Sequence, residues 1–378
     1  MTQSTTPSLS IRSLYIHFPF CESKCHYCDF YSLGVDRTRP KDGEHFEAAL
    51  RQECARQAHL LAPEIDTLFF GGGTPSMTSP ESMARALEPL DLHSRINSKT
   101  EWTMEANPSS ITLEKMKRYR TLGVNRISMG VQSMIESQLS LLGRVHSRQT
   151  ALKALESIFA ADFNNVSMDL LCGIPGQTLA DLDSAMNELT QYPITHLSCY
   201  LLTLPKHHPM FKDLPSEEIQ LQHLLFIDEK MRSLGFEHYE ISNFAKPGKQ
   251  ARHNLAYWKG ASYLGLGPSA HSFDSSQSIR WKNFSSLHRY VQLLEKNESV
   301  IEWSETLRED QLHMERWMLS LRLAEGFPIS WLNTPLRQST ARELQSRDLL
   351  EDHPDLPGRK RLTATGFALS DQVIAALA

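Results

Sequence analysis

Several strong signals are missing from this sequence. No run of about twenty apolar residues occurs, so no helical membrane span is expected. The stretch from Met1 to Ser8 has neither a basic start nor an apolar segment behind it, so no secretory leader is expected. Excess charge is small: 39 Lys and Arg against 44 Asp and Glu leave −5 over 378 residues. A chain so balanced lacks the basic field of a nucleic-acid binder, and acidic ligands would have to be met by local clusters. Low-complexity segments and fixed-period repeats are absent. Cysteine is scarce, six residues in all. Three of them crowd into one short stretch, whereas a secreted disulfide framework would spread them and suit a smaller chain. Together these absences imply a cytoplasmic globular protein without nucleic-acid partners.

The residues present can form a sizeable core, with 40% hydrophobic side chains. The length suits one large domain plus a smaller one. Strand-like apolar runs, 14–18, 67–70, 102–105, 126–129, 166–171, 196–201 and 238–241, alternate with helical stretches at 43–60, 80–87, 113–121, 135–141, 148–160, 179–189 and 217–234. Such alternation predicts parallel strands with right-handed crossovers, as a partial (β/α) barrel or an open α/β sheet. Barrel chemistry gathers at the carboxyl ends of strands. Several of these runs end in polar or glycine-bearing signatures: Gly71–Gly73, Glu105–Asn107, Gly130–Gln132 and Asp169. Beyond about Ser275 the pattern changes to helices at 284–296, 305–323 and 336–349, then a short strand and turn before a last helix. The stretch Gly260–Asn283 is rich in Gly and Ser and reads as a linker.

The segment from Cys21 holds three cysteines at spacings of four and three, Cys21, Cys25 and Cys28, directly after an apolar strand and Pro19. A short loop there brings three soft thiolates together, as an iron–sulfur cluster requires. The alternative is a zinc site with His17 or His26 as fourth ligand, although zinc knuckles favour paired C-x₂-C spacings. Cys54, Cys172 and Cys199 read as small buried residues.

C-x₃-C-x₂-C after a strand resembles the signature of the radical-SAM family. The wider motif set resembles the branch that contains the oxygen-independent coproporphyrinogen III oxidases and the related heme chaperones, from about Leu14 to Ser272 and more weakly beyond. The resemblance implies a partial (β/α)6 TIM-like barrel over residues 1–240, a heme-associated motif and linker over 241–283, and a small helical or winged-helix-like module over 284–378. It also implies a [4Fe–4S] cluster on Cys21, Cys25 and Cys28 with one iron left open for S-adenosylmethionine. Residues expected around that cofactor are Tyr15, Gly72, Gly73, Thr74, Glu105, Gln132, Arg144 and Asp169, with Phe30 beside the adenine. Arg144 suits a carboxylate fork and Asp169 a ribose hydroxyl.

Two features bear on which member of the branch this is. The oxidases carry a further cysteine two positions after the third, where this chain has Phe30, and a longer N-terminal extension than the dozen residues before Leu14. His253, Asn254, Tyr257 and Trp258 form H-N-x-x-Y-W, which resembles the heme-associated motif of the chaperones. His253 would offer an axial nitrogen and the aromatics a flat face for the macrocycle. His271, in G-P-S-A-H-S, is a second candidate ligand. One departure concerns 202–206, where many relatives have an acidic residue near Pro205. The leading expectation is therefore a protein that binds heme and passes it to an acceptor such as a membrane respiratory enzyme, with an electron donor for the cluster and a homodimer as further partners. The rival is decarboxylation of coproporphyrinogen III to protoporphyrinogen IX, an enzymatic step of porphyrin metabolism.

Overall fold

The structure, a computed structural model, describes residues 11–378; the first residues, read above for a leader, lie outside them. Its centre is six parallel strands in sequence order: β1 (Ser13–Phe18), β2 (Thr67–Gly72), β3 (Glu101–Ala106), β4 (Arg126–Gln132), β5 (Val166–Cys172) and β6 (His196–Leu201). Between them run α1 (Asp42–Gln57), α2 (Pro80–Leu87), α3 (Leu113–Leu122), α4 (Glu136–Leu141), α5 (Arg148–Ala160) and α6 (Leu179–Leu189), and α7 (Glu217–Ser233) follows β6. Strands and helices begin and end close to where their patterns predict. Their starts are chemically marked: Ser79, Thr112, Ser147 and Ser216 accept a backbone N–H from the first turn of their helices, and Thr178 forms a capping box with Asp181. The strands are nearly all buried, as a parallel sheet covered by helices demands. Ile16, Leu68, Met104, Ile127, Met168 and Leu197 form the centre of the core.

Six parallel strands make the partial barrel, and the sheet does not stop there. Past β6 it continues through β8 (Asn243–Ala245) to β7 (Glu237–Glu240), both antiparallel. On the other side, β9 (Tyr263–Leu266) pairs parallel with β1, followed by antiparallel β10 (His271–Asp274), β11 (Ile279–Asn283) and β12 (Ile301–Thr306). The Gly- and Ser-rich stretch expected as a linker is thus three strands of the main sheet. Its glycines answer to packing. A Cβ on Gly265 would stand 2.0 Å from the His271 carbonyl oxygen, and one on Gly267, at φ +95°, 2.5 Å from that of His17. The helix expected from residue 305 starts later for the same reason: β12 occupies Ile301–Thr306, and α10 spans Glu309–Ser320.

α8 (Arg252–Trp258) packs on β2 and α9 (Leu287–Glu295) on α1. The C-terminal module has its own core around Trp317, Phe327, Leu344 and Val373, built from α10, α11 (Pro335–Ser346), α12 (Ala364–Ala368), α13 (Ser370–Leu377) and a three-stranded sheet, β13 (Phe327–Pro328), β14 (Leu350–Asp352) and β15 (Arg359–Leu362). Each such large side chain contributes roughly 1.5–3 kcal/mol by leaving water. The module docks on the β7 edge, where Ile241 N donates to Arg322 O and Ala324 N donates to Tyr239 O. Among the described residues no helix is long and apolar enough to cross a membrane.

Candidate functional site

The carboxyl end of β1 delivers the cysteine loop, and backbone bonds tie that loop down from three directions. Leu33 N donates to Pro19 O at 2.7 Å, His26 N to Leu142 O at 3.2 Å, and Thr74 N to Phe20 O at 2.7 Å. Cys21, Cys25 and Cys28 all line one cavity of about 460 Å³ and form no disulfide, whereas Cys54, Cys172 and Cys199 are buried elsewhere. The Thr74 hydroxyl donates to Cys21 Sγ at 3.5 Å and Arg144 Nη1 to Cys25 Sγ at 3.4 Å. Burial pushes the Cys21 and Cys28 thiols up, so holding them as thiolates calls for a cation beside them. Among the described residues no three His, Cys, Asp or Glu groups converge on one point as a single zinc ion needs. A cube of irons takes one thiolate per iron instead, so the three soft donors on one loop fit a cluster.

Around the same cavity stand Gly72, Gly73, Thr74, Glu105, Gln132, Arg144, Asp169 and Phe30. Gly72, Glu105 and Gln132 reach it from strand ends and Gly73 and Thr74 from just past one, while Asp169 lies within β5, Arg144 follows α4 and Phe30 follows the last cysteine. Gly72 has φ +108° and a Cβ there would press on the His17 ring at 2.6 Å; one on Gly73 would meet Phe20 O at 2.7 Å. Gln132 sits at φ +71°, at a register shift between β4 and β5 that turns its side chain out of the ladder. Tyr15 alone of the expected set lies elsewhere. It lines a deeper cavity of about 220 Å³ that also touches Phe30, Gly72, Glu105 and Asp169.

The electrostatics are those of a site short of positive charge. The Gly72 amide donates to Glu105 Oε2 at 3.2 Å, yet burial, with Asp169 nearby, raises Glu105 to about 8. Burial also raises Asp169, against hydroxyl donation from Ser128 at 3.2 Å and Ser167 at 3.4 Å and the pull of Arg126. Two buried carboxylates that resist ionisation gain from a cationic ligand. Arg144 gives one N–H to Gly130 O at 2.5 Å, and its buried Nε has no partner among the described residues. Paired carboxylates on one side and an unsatisfied guanidinium on the other complement an amino-acid zwitterion carrying a further positive charge. Ser128, Ser167, Ser198 and Arg126 were not singled out in the sequence. Their only signal is alternation within strands, which marks them as facing one side and says nothing of a partner.

The H-N-x-x-Y-W side chains divide: Asn254 and Tyr257 line a cavity, His253 is buried behind Tyr257, and Trp258 turns the other way. These residues form α8, whose start is held at the amino end of β3, while Tyr257 shares two cavities with Phe30 of the cysteine loop. Glu101, first residue of β3, accepts the backbone N–H groups of Arg252 and His253, each at 3.1 Å. His253 is 1% exposed. Its Nδ1 bonds the Thr67 hydroxyl at 2.8 Å and its Nε2 the Tyr257 hydroxyl at 2.8 Å, while its ring stacks on Phe69. Both nitrogens are engaged in this way and burial holds the ring's pKa down to about 3, so His253 ties α8 to β2 in this structure. Trp258 turns toward the C-terminal module, donating Nε1 to Glu240 at 2.5 Å beneath the Arg322 guanidinium. Asn254 and Tyr257 do face the deeper cavity beside Tyr15.

Comparison with known proteins follows this geometry. The radical SAM superfamily model matches residues 15–189. The heme chaperone HemW of Mycobacterium tuberculosis is 32% identical over 372 residues, 96% of this chain and 94% of that protein. The heme chaperone HemW of Bacillus subtilis is 34% identical over 325 residues, 84% of each. Among solved structures, coproporphyrinogen III oxidase (HemN) from Escherichia coli, a radical SAM enzyme, superposes with a TM-score of 0.82 over 99% of this chain and 91% of that one; at 22% identity this is a likeness of fold.

Proposed function

The chain belongs to the radical SAM superfamily and, within it, to the family of the HemW heme chaperones, and on that premise we propose that it binds heme in the cytoplasm and hands it to an acceptor protein. Cys21, Cys25 and Cys28 would hold a [4Fe–4S] cluster. S-adenosylmethionine would lie beside it, its carboxylate toward Arg144 and its positive charges toward Glu105 and Asp169, with Tyr15, Gly72, Gly73, Thr74, Gln132 and Phe30 shaping the pocket. When bound, the cluster supplies an iron that ligates the methionyl group and an electron for its sulfonium. The chain's own residues orient that ligand and keep water from it: glycine backbone allows close approach, and the two carboxylates balance its charge.

The observation that carries the reading is the meeting of two spaces at Phe30. The cysteine-lined cavity and a larger aromatic one of about 920 Å³ share that ring and Asp29. One suits a small cationic cofactor and the other a macrocycle. An electron donor and a second copy of the chain are the further partners of this reading.

The test is anaerobic reconstitution followed by two parallel assays. Protein loaded with about four irons per chain should give a Soret band on titration with hemin. It should release no carbon dioxide from coproporphyrinogen III with reductant and S-adenosylmethionine. Carbon dioxide release would make it an oxidase, and absence of a Soret band would remove the chaperone reading.

A further inference from the structure

The interior of the β1–β6 barrel is polar where such interiors are ordinarily filled by branched apolar side chains. On β4, Ile127 and Met129 belong to the apolar core, and the alternate residues Arg126 and Ser128 turn to the deeper cavity. Glu105 on β3, Asp169 on β5 and Ser198 on β6 line the same space, of about 220 Å³. Tyr15 and Tyr257 close it toward the wing formed by β9–β12, antiparallel beyond β9. A space of that size among polar groups has room for a small ligand or for several waters.

Arg126 calls for more than water. Only 2% of it is exposed, and its Nε is buried without a partner among the described residues. Among those residues its guanidinium enters no ion pair and donates no side-chain hydrogen bond, although it lines the cavity. Its neighbour across the ladder, Thr103 on β3, is fully buried, and its hydroxyl is likewise without a partner. Glu105 and Asp169 feel the guanidinium's field, yet burial inclines both carboxyls to keep their protons. A neutral carboxyl cannot balance a cation, but it can donate its proton in a hydrogen bond. A guanidinium is always charged and presents its donors in a rigid fork, so sealing it from solvent is costly until an anion meets it. Water would satisfy the N–H groups and leave the charge.

We propose that the barrel interior is a second ligand site, for a small free monocarboxylate such as formate or acetate, seated in the guanidinium fork of Arg126. Glu105 in its neutral form adds a donor from the same cavity wall. The site borders the cofactor pocket through Gly72, Glu105 and Asp169, so its occupant and the cofactor are coupled. This coupling rests on the S-adenosylmethionine pocket proposed above; the carboxylate site itself does not. A cationic cofactor draws Glu105 into its ionised form, which removes a donor from the carboxylate and sets a like charge beside it. Carboxylate and cofactor therefore weaken one another's binding, each by the same factor.

The experiment uses the full chain, anaerobically reconstituted and freed of S-adenosylmethionine, with sodium formate as the probe. Formate should raise the parent's melting temperature saturably and show saturation transfer to its single carbon-bound proton by NMR. Acetate should displace it, and chloride at equal concentration should not. Arg126→Met should lose the transfer. Arg126→Lys keeps the charge without the fork and should bind formate at least about tenfold more weakly; it carries the comparison if the Met variant does not fold. By calorimetry, formate should weaken S-adenosylmethionine binding several-fold in the parent and far less in Arg126→Lys. A parent without transfer, variants with the parent's response, or displacement by chloride as readily as by acetate would each overturn the carboxylate site. Cofactor affinity indifferent to formate would overturn the coupling. A parent that binds no S-adenosylmethionine under either condition would instead overturn the cofactor reading, with the carboxylate site still decided by transfer and melting.

Discussion

The cavity at the carboxyl ends of β1–β6 and the cavity under β9–β12 border the same Phe30 ring, yet they handle polar groups in opposite ways. In the first, the charged side chains are each held by at least one bond within the protein, with Arg144 Nε left over. Gly72 holds Glu105, Ser128 and Ser167 hold Asp169, and Gly130 holds Arg144. Such a surface gives up little ordering entropy when a ligand arrives, and it discriminates by charge. In the second, two polar side chains of the lining stand free: His271 has no hydrogen-bond partner among the described residues and Arg316 no ion pair. A wall of aromatic area with few fixed polar contacts suits a ligand that must leave again. The difference teaches that retention and exchange can be built into adjoining spaces of one sheet, the parallel half supplying rigidity and the antiparallel wing supplying access.

The sharpest way to break this comparison is to empty one side. Cys25→Ser should take iron from about four per chain to nearly none, measured by iron and sulfide content after anaerobic reconstitution, while hemin uptake under the wing persists. Loss of both would mean that the two spaces are not separable.

A large effect on stability is expected at the foot of the wing. Glu53 on α1 is fully buried and accepts from the Gly267 amide at 2.7 Å, Asn283 Nδ2 at 2.6 Å and the Tyr290 hydroxyl at 2.6 Å, fastening β9, β11 and α9 to the barrel. Glu53→Ala leaves those donors stranded and should cost about 3 kcal/mol or more in denaturant unfolding. Burial raises this carboxyl from 4.5 to about 7. The stability it contributes is fully present below pH 4.5 and is lost as pH rises through 7. The parent's unfolding free energy should therefore fall over that window, and the variant should lose that part of the slope.

A smaller and more selective effect concerns Glu105. Its carboxyl, near 8 without ligand, must ionise to meet a cation. Affinity for S-adenosylmethionine should rise with pH toward 8, by up to about tenfold per unit, then level off, with proton release visible by calorimetry in buffers of different ionisation enthalpy. Glu105→Gln should flatten that dependence without altering hemin binding. A flat profile in the parent would remove Glu105 from the charge-balancing role.

The parallel half was legible in the sequence because its signals are local. β2 and β3 carry Gly73 and Glu105 at or beside their ends and β5 carries Asp169 within it, so all three could be placed by finding strands. The wing was not legible for the complementary reason. Gly265 and Gly267 read as flexibility, whereas they admit carbonyl groups of residues His271 and His17. The surroundings of His253 were not legible because its partners, Thr67 and Glu101, lie more than 150 residues away in the chain. A histidine's spacing from Tyr and Trp does not reveal which end of a barrel it will reach, nor whether both nitrogens will be taken. His271 was singled out by residue type, but only the folded sheet shows its ring beside a large cavity.

Phe30 leaves 69% of its surface to solvent while its ring borders all three cavities. A nucleoside settling on one side and a tetrapyrrole on the other would become thermodynamic neighbours through that single ring. Reciprocity then fixes their dealings: whatever factor one occupant changes the other's affinity by, it receives the same factor back. A carrier that must surrender its cargo on meeting a recipient would have, in one uncovered phenyl group, a means of making departure depend on what sits behind it.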